Sequence, residues 1–265
     1  MASITLPSSV ILRLATVKDV PRISAVATAG FFYSPAFEWE RRYHAQYPED
    51  TIKSFAKRFS DTIRDPEHIL GVVEDSYQPD ENSKTGATIV SNPGETASQA
   101  GDSVIVGLAA WKLPPGSKYI GQFMDHEDLA SDSRPVFDGG LGRDKYMPGS
   151  PVYEAVSAQE EKSDVLFFRN DGGFADILNR HFQGRMVIEL VAIHPAYWRR
   201  GHARSLLSWG IAVAESEEVK TGVVANNRGL GLYISMGFKE VLRFSIQDED
   251  EPPNVISGIL LKYPD

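Results

Sequence analysis

Residues 192–210 read AIHPAYWRRGHARSLLSWG. Just upstream, MVIELVAI over 186–193 is a continuous apolar segment of strand length, and it ends near Pro195. Two arginines and a glycine follow. Behind them Ala203, Leu206, Leu207, Gly210, Ile211 and Ala214 recur at i, i+3, i+4, i+7, i+8 and i+11, the spacing of one helix face. The stretch is a strand-turn-helix unit with Gly201 where the helix opens. A helix start leaves about four backbone N–H groups unpaired and carries partial positive charge, so it suits an anion. Glycine there lets a ligand approach the main chain, and Arg199, Arg200 and Arg204 add charge around it. The expected guest is a phosphate or pyrophosphate, although a plain turn with solvated arginines fits the same residues. The loop matches neither GxGxxG nor a Walker loop with its Lys-Ser/Thr, so a dinucleotide fold or nucleotide hydrolase has no support.

Working outward, Thr16 to Asp19 (TVKD) has capping-box spacing behind the strand-like VILRLA, and Ile23, Val26, Ala27 and Gly30 then recur at helical intervals. Thr51 to Ile63 predicts a second helix with Ile52, Phe55, Phe59 and Ile63 on one face. HILGVVE from His68 and VIVGLAAWKL from Val104 read as strands. The segment 76–103 between them is poor in aromatics and is expected to be a flexible insertion. A second insertion is expected over 114–185, with a short helix in GGFADILNRHF. The chain closes with TGVVANN as strand and loop, GLGLYISM as a short helix, and GFKEVLRFSI and VISGILLKY as strands. No internal repeat is visible. The expectation is one domain over 1–265, of α+β (α/β layered) class.

Composition narrows the function. A formal charge of −9 argues against nucleic acid or an anionic membrane as partner. The absence of cysteine removes disulfides, thiolate metal sites and cysteine nucleophiles together. No apolar run approaches membrane-spanning length, and the N-terminus lacks the pattern of a secretory signal. A cytoplasmic protein is expected, with the nucleus left open.

Two ordered segments carry a family resemblance. Trp198-Arg199-Arg200-Gly201-His202-Ala203 resembles the acyl-CoA-binding signature of the GNAT superfamily of N-acyltransferases, Gln/Arg-x-x-Gly-x-Gly/Ala after a strand and a proline. It departs from the pattern at Trp198, where Gln or Arg is usual, and has Ala203 as the second small residue. NNRGLGLYISMGF resembles the closing signature, Asn-x-x-Ala-x-x-Leu-Tyr-x-x-x-Gly-Phe, through Asn226, Leu232, Tyr233, Gly237 and Phe238, with Gly229 in the alanine place. LRLATVKDVPRI resembles the first strand and helix of the family.

The resemblance implies a central mixed, mostly antiparallel sheet, splayed at the acyl-CoA site and flanked by helices. It implies acetyl-CoA as cosubstrate, no metal, a small-molecule or peptide amine as acceptor, and a homodimer as a form to expect. Val191 and Ile193 would bond the pantetheine arm like an added strand. The amides of Arg199 to Ala203, flanked by Arg204 and with Trp198 and Asn226 nearby, would hold the pyrophosphate. His194 and His202 read as ordinary loop residues rather than acid-base groups.

Acetyl transfer to an amine needs a neutral amine, a polarised thioester carbonyl and a stabilised thiolate. Tyr233 suits the last task, since a phenol with a pKa of about 10 is protonated at neutral pH. Glu189 is the candidate base: it is the only acidic residue inside MVIELVAI, and burial raises a carboxyl pKa. A structural glutamate and a water chain are the competing readings. Phe31, Phe32, Tyr33, Phe37 and Trp39 offer an aromatic acceptor wall or simply core. A non-catalytic acyl-CoA-binding module, an enzyme using a longer acyl chain and an acidic interaction scaffold stand as alternatives.

Overall fold

The structure is a computed structural model that describes residues 11–34, 37, 41, 44–90, 98–124, 179–246 and 256–262. Strand β1 (Ile11–Leu14) leads into a short 3-10 turn (Val17–Asp19) and helix α1 (Val20–Phe31). The turn is held as the TVKD spacing predicts: the Thr16 backbone N–H donates to the Asp19 carboxylate at 2.8 Å. Pro21 sits in the first turn of α1, where its missing N–H costs no intrahelical bond. Helix α2 (Pro48–Arg64) buries Ile52, Phe55, Phe59 and Ile63, and α1 packs against it. It begins three residues earlier than the periodicity indicated, again with a proline at its start.

Strands β2 (His68–Ser76) and β3 (Ser103–Lys112) form a long antiparallel pair. Strand β4 (Met186–Ile193) runs antiparallel to β3, and helix α3 (His202–Glu215) returns the chain to β5 (Thr221–Asn226), which is parallel to β4. Helix α4 (Asn227–Ser235), β6 (Lys239–Ile246) and β7 (Ile256–Lys262) follow. The described strands form one seven-stranded sheet in the order β1-β2-β3-β4-β5-β7-β6, antiparallel throughout except at β4·β5. The expected mixed, mostly antiparallel sheet flanked by helices is what the chain forms.

Each face of the sheet carries its own core. Ile23, Val26, Phe55 and Phe59 of α1 and α2 cover one face; Leu206, Leu207 and Ile211 of α3 cover the other. On the α3 side the Trp111 indole is fully buried, edge-on to Trp209 with ring centroids 5.5 Å apart. It lies against Gly210, and a Cβ added there would overlap the indole. Overpacking a closed core of this kind costs about 1–3 kcal/mol. Gly210→Ala should therefore lower the thermal midpoint, a shift readable by calorimetry, without touching the site described below.

The 76–103 segment differs from expectation in its first part. Glu81 is buried, and its carboxylate receives the Arg22 guanidinium of α1 (Nη2–Oε2 2.9 Å) and the Tyr197 hydroxyl at 2.8 Å. A buried carboxylate that is paired and hydrogen-bonded anchors the backbone as apolar side chains would, so the scarcity of aromatics there was a poor guide. Residues 91–97 lie outside the described residues, as does most of the second expected insertion. Of its predicted short helix only 179–182 is described, and that part is helical.

Candidate active site

The site grows from a fault in the sheet. Strands β4 and β5 pair only from Met186–Ile188 to Thr221–Val223, after which β4 continues on β3 and β5 on β7. A gap opens between them from Glu189 onward. At the same point the β3·β4 register slips: Ile188 faces Trp111 and Leu190 faces Ala110, leaving Glu189 unopposed in a bulge. The slip reverses which way the following side chains face. Met186 and Ile188 join the α3-side core, whereas Leu190 and Ala192 join the α1/α2-side core.

The bulge also decides which backbone groups are free. The His194 N–H donates to Val106 O at 2.8 Å, so by antiparallel alternation the amides and carbonyls of Val191 and Ile193 turn away from β3 into the gap. These are the two residues expected to bond an added strand. One of the four groups is occupied, because the Trp198 indole N–H donates to Ile193 O at 2.7 Å. Trp198 is 40% exposed and meets the Tyr33 ring edge-on at 5.4 Å. The Arg228 guanidinium of α4 covers the Tyr33 ring at 5.3 Å, so Tyr33 bridges the two lips of the gap.

Past the end of β4 the chain makes the turn that opens α3. Arg199 (φ 65°) and Gly201 (φ 90°) both adopt the left-handed region. Alternating conformations of this type turn successive N–H groups toward one concavity, and the free amides of the helix start add to it. An added Cβ at Gly201 would meet nothing within 4 Å, so the glycine is there for its backbone conformation and not for close packing. Ala203, inside the first turn of α3, is half-buried.

The side chains around the turn divide. Asp75, at the end of β2, accepts from Arg200 Nη1 and faces His202 Nε2, each at 2.9 Å. Burial works to raise the Asp75 carboxyl pKa, but hydrogen bonds from Ser76, Arg200 and His202 hold it below the ordinary value. Arg200 also lies over the Tyr197 ring at 5.1 Å. Arg204 donates to Ser235 Oγ at 2.7 Å. Two of the three arginines expected around the anion thus tie the turn to β2 and α4. Arg199 is exposed and makes no ion pair among the described residues. His202 is buried, and burial lowers the pKa of His194 to about 4 so that it stays neutral.

Asn226 requires a correction. Its Oδ1 accepts from the amides of Arg228 at 3.0 Å and Gly229 at 3.1 Å, and its Nδ2 donates to Ser34 Oγ at 3.1 Å. It caps α4 and ties that cap to the segment after α1. With Oδ1 engaged twice and Nδ2 making one bond, its side chain is a scaffold for the gap.

Tyr233 lies in the last turn of α4, buried and edge-on to Phe238 at 5.3 Å. Burial pushes the phenol pKa up, so it is protonated throughout the physiological range. Glu189 departs from its expected environment. Its side chain is 30% exposed, and Oε2 lies 3.4 Å from His68 Nε2. Burial raises its pKa, but the contact with His68 and the charges of His68, Arg58 and Lys112 outweigh this and lower it. The expected raised carboxyl pKa is overturned, because the carboxylate lies beside a histidine and near two further cations.

Of the proposed acceptor wall, Phe37 is core, Phe31 stacks on Phe55 at 6.0 Å, and Tyr33 stands half-exposed at the gap. Trp39 lies outside the described residues. No group of His, Asp or Glu able to hold a metal occurs among the described residues, and none of their helices is long and apolar enough to cross a membrane.

The comparisons with known proteins bear on this strand gap and the left-handed turn beside it. Residues 155–240 match the Acetyltransferase (GNAT) domain family. An acetyltransferase of Stachybotrys chartarum (strain CBS 109288 / IBT 7711) is 27% identical over 240 residues, spanning 91% of this chain and 85% of that protein. Among solved structures, one described as histone acetyltransferase HPA2 and related acetyltransferase from Corynebacterium glutamicum ATCC 13032 shares the fold. Its TM-score is 0.51 at 17% identity, over 97% of this chain and 96% of that one. The chain is thus similar to the GNAT acetyltransferases, by a family match over residues 155–240 and by a relative aligned over most of its length.

Proposed function

We propose that the protein transfers an acetyl group from acetyl-CoA to a primary amine by direct attack of the amine on the thioester. The observation that carries this reading is a coincidence of place. The gap that exposes the backbone of Val191 and Ile193 leads directly to the turn formed by Arg199 and Gly201. A strand-like arm lies in the first and a pyrophosphate in the second, so one extended ligand satisfies both.

In this reading the turn amides from Arg199 to Ala203 hold the pyrophosphate, with the exposed Arg199 adding charge. The Val191 amide polarises the thioester carbonyl. Tyr233, protonated and buried, gives a proton to the departing sulfur. Glu189, which stands where β4 and β5 part, takes the proton of the incoming amine.

Thermal denaturation with and without acetyl-CoA, followed by free-thiol release on adding a panel of amines, tests the reading. Acetyl-CoA at about 100 times its Kd should stabilise the fold by about 2.7 kcal/mol. An amine in the panel should then release thiol at a rate that depends on its concentration. Stabilisation without turnover on any amine would leave an acyl-CoA-binding module; the absence of both would dismiss the reading.

A further inference from the structure

Glu189 is a weak base in its surroundings, and what it touches bears on how it works. Its Oε2 lies 3.4 Å from His68 Nε2, and His68 Nδ1 lies 2.9 Å from Asp65 Oδ2. The second contact lacks hydrogen-bond geometry, so Nδ1 is buried without a bond. Beyond His68 opens a cleft of about 360 Å³ on the outer side of α2, lined by Ser54, Lys57, Arg58, Asp61, Asp65 and His68. Carboxylate, imidazole and open cleft therefore adjoin one another, from the point where β4 and β5 part to the outer side of α2.

We propose that His68 is the outlet for the proton released in the reaction, accepting it from Glu189 and losing it to the water of the cleft, with Asp65 beside it. The proposal rests on the reading of the chain as an amine acetyltransferase. An ammonium acceptor must lose two protons as its nitrogen bonds the acetyl carbon and the C–S bond breaks. One of these is matched by the proton that ends on sulfur, and the other must leave the site. Glu189 takes it, Nε2 of a neutral His68 removes it, and the imidazolium, on the wall of the cleft, loses it to water there.

The charges support this direction. The contact with Glu189 raises the His68 pKa above its ordinary value of 6.5; burial opposes this and Asp65 adds to it. Glu189 is faced by His68, Arg58 and Lys112, and its pKa is lowered. The proton is therefore held more tightly by the imidazole than by the carboxylate, and moves outward. Histidine is suited to the task because its two ring nitrogens can accept and release on opposite sides. His68 is a positioning residue here: it acts on the amine through Glu189.

The pair can be tested on the full chain by two measurements. With the amine found in the turnover screen, kcat of the wild type should rise with pH through a group titrating above 6.5. His68→Gln should lower kcat about 10-fold to 100-fold, abolish that limb and leave the KM for acetyl-CoA unchanged. Second, the His68 ring resonance, identified by its loss in His68→Gln, should titrate above 6.5 in the wild type and lower in Glu189→Gln. A retained limb in His68→Gln, or a titration unmoved by Glu189→Gln, overturns the outlet and leaves the transferase reading standing. Absence of both acetyl-CoA binding and turnover overturns the transferase reading and the outlet with it.

Discussion

Tyr233→Phe should lower kcat about 100-fold or more, the loss expected on removing a general acid, while leaving acetyl-CoA affinity nearly unchanged. The substitution is well suited to the site. The ring is wedged beside Phe238 and Gly229, where a Cβ on Gly229 would come within 3.1 Å of it, and phenylalanine preserves that volume. Only the hydroxyl is lost. Because burial raises the Tyr233 pKa, the wild-type enzyme should show no loss of the acid on the alkaline side below about pH 10, the ordinary value for a phenol. Single-turnover kinetics on both proteins, with a thermal midpoint as the control for folding, check this. An unchanged kcat would make Tyr233 a core aromatic and no more.

The second large effect is expected at Gly201. Its φ of 90° is costly for any residue with a side chain and worst for a β-branched one, by about 1–3 kcal/mol. Gly201→Val should therefore weaken acetyl-CoA binding by roughly 10-fold to 100-fold, as that strain is relieved by rearranging the amide cradle. Since nothing lies within 4 Å of an added Cβ, crowding cannot be the cause. Gly201→Asn separates the two explanations, because asparagine tolerates the left-handed region. It should retain most of the affinity. Equal losses in both variants would mean that side-chain bulk at the turn, and not backbone conformation, governs binding.

The parts of this site that could be read from sequence are those whose signal is local. The apolar run 186–193 became β4 with the same bounds, and the periodicity behind Gly201 became α3. The capping signal at Thr16 and Asp19 formed as written. Proline, glycine and periodicity act within a turn or two of chain, so one sequence suffices to read them.

What escaped the sequence depends on partners far along the chain. The bulge at Glu189 arises from its register with β3, and it reverses the facing of Leu190 and Ala192. Asp75 grips the Arg200 and His202 side chains across more than a hundred residues, which turned one of the arginines expected around the anion into a structural tie. His68 carried no motif at all; its meaning comes from meeting Glu189 two strands away. Asn226 is the exception. An asparagine directly before a short helical pattern is an N-cap signal, and it was legible as one.

The most direct test of the account is to follow the amine itself. The full chain, acetyl-CoA and a chemically diverse panel of primary amines are incubated together, and the amines are analysed by mass spectrometry beside free-thiol release. The account predicts that at least one amine gains a single acetyl group on nitrogen, in equal amount to the thiol released, and that Tyr233→Phe suppresses both together. Thiol release with no acetylated amine, or an acetyl group found on oxygen, would contradict it.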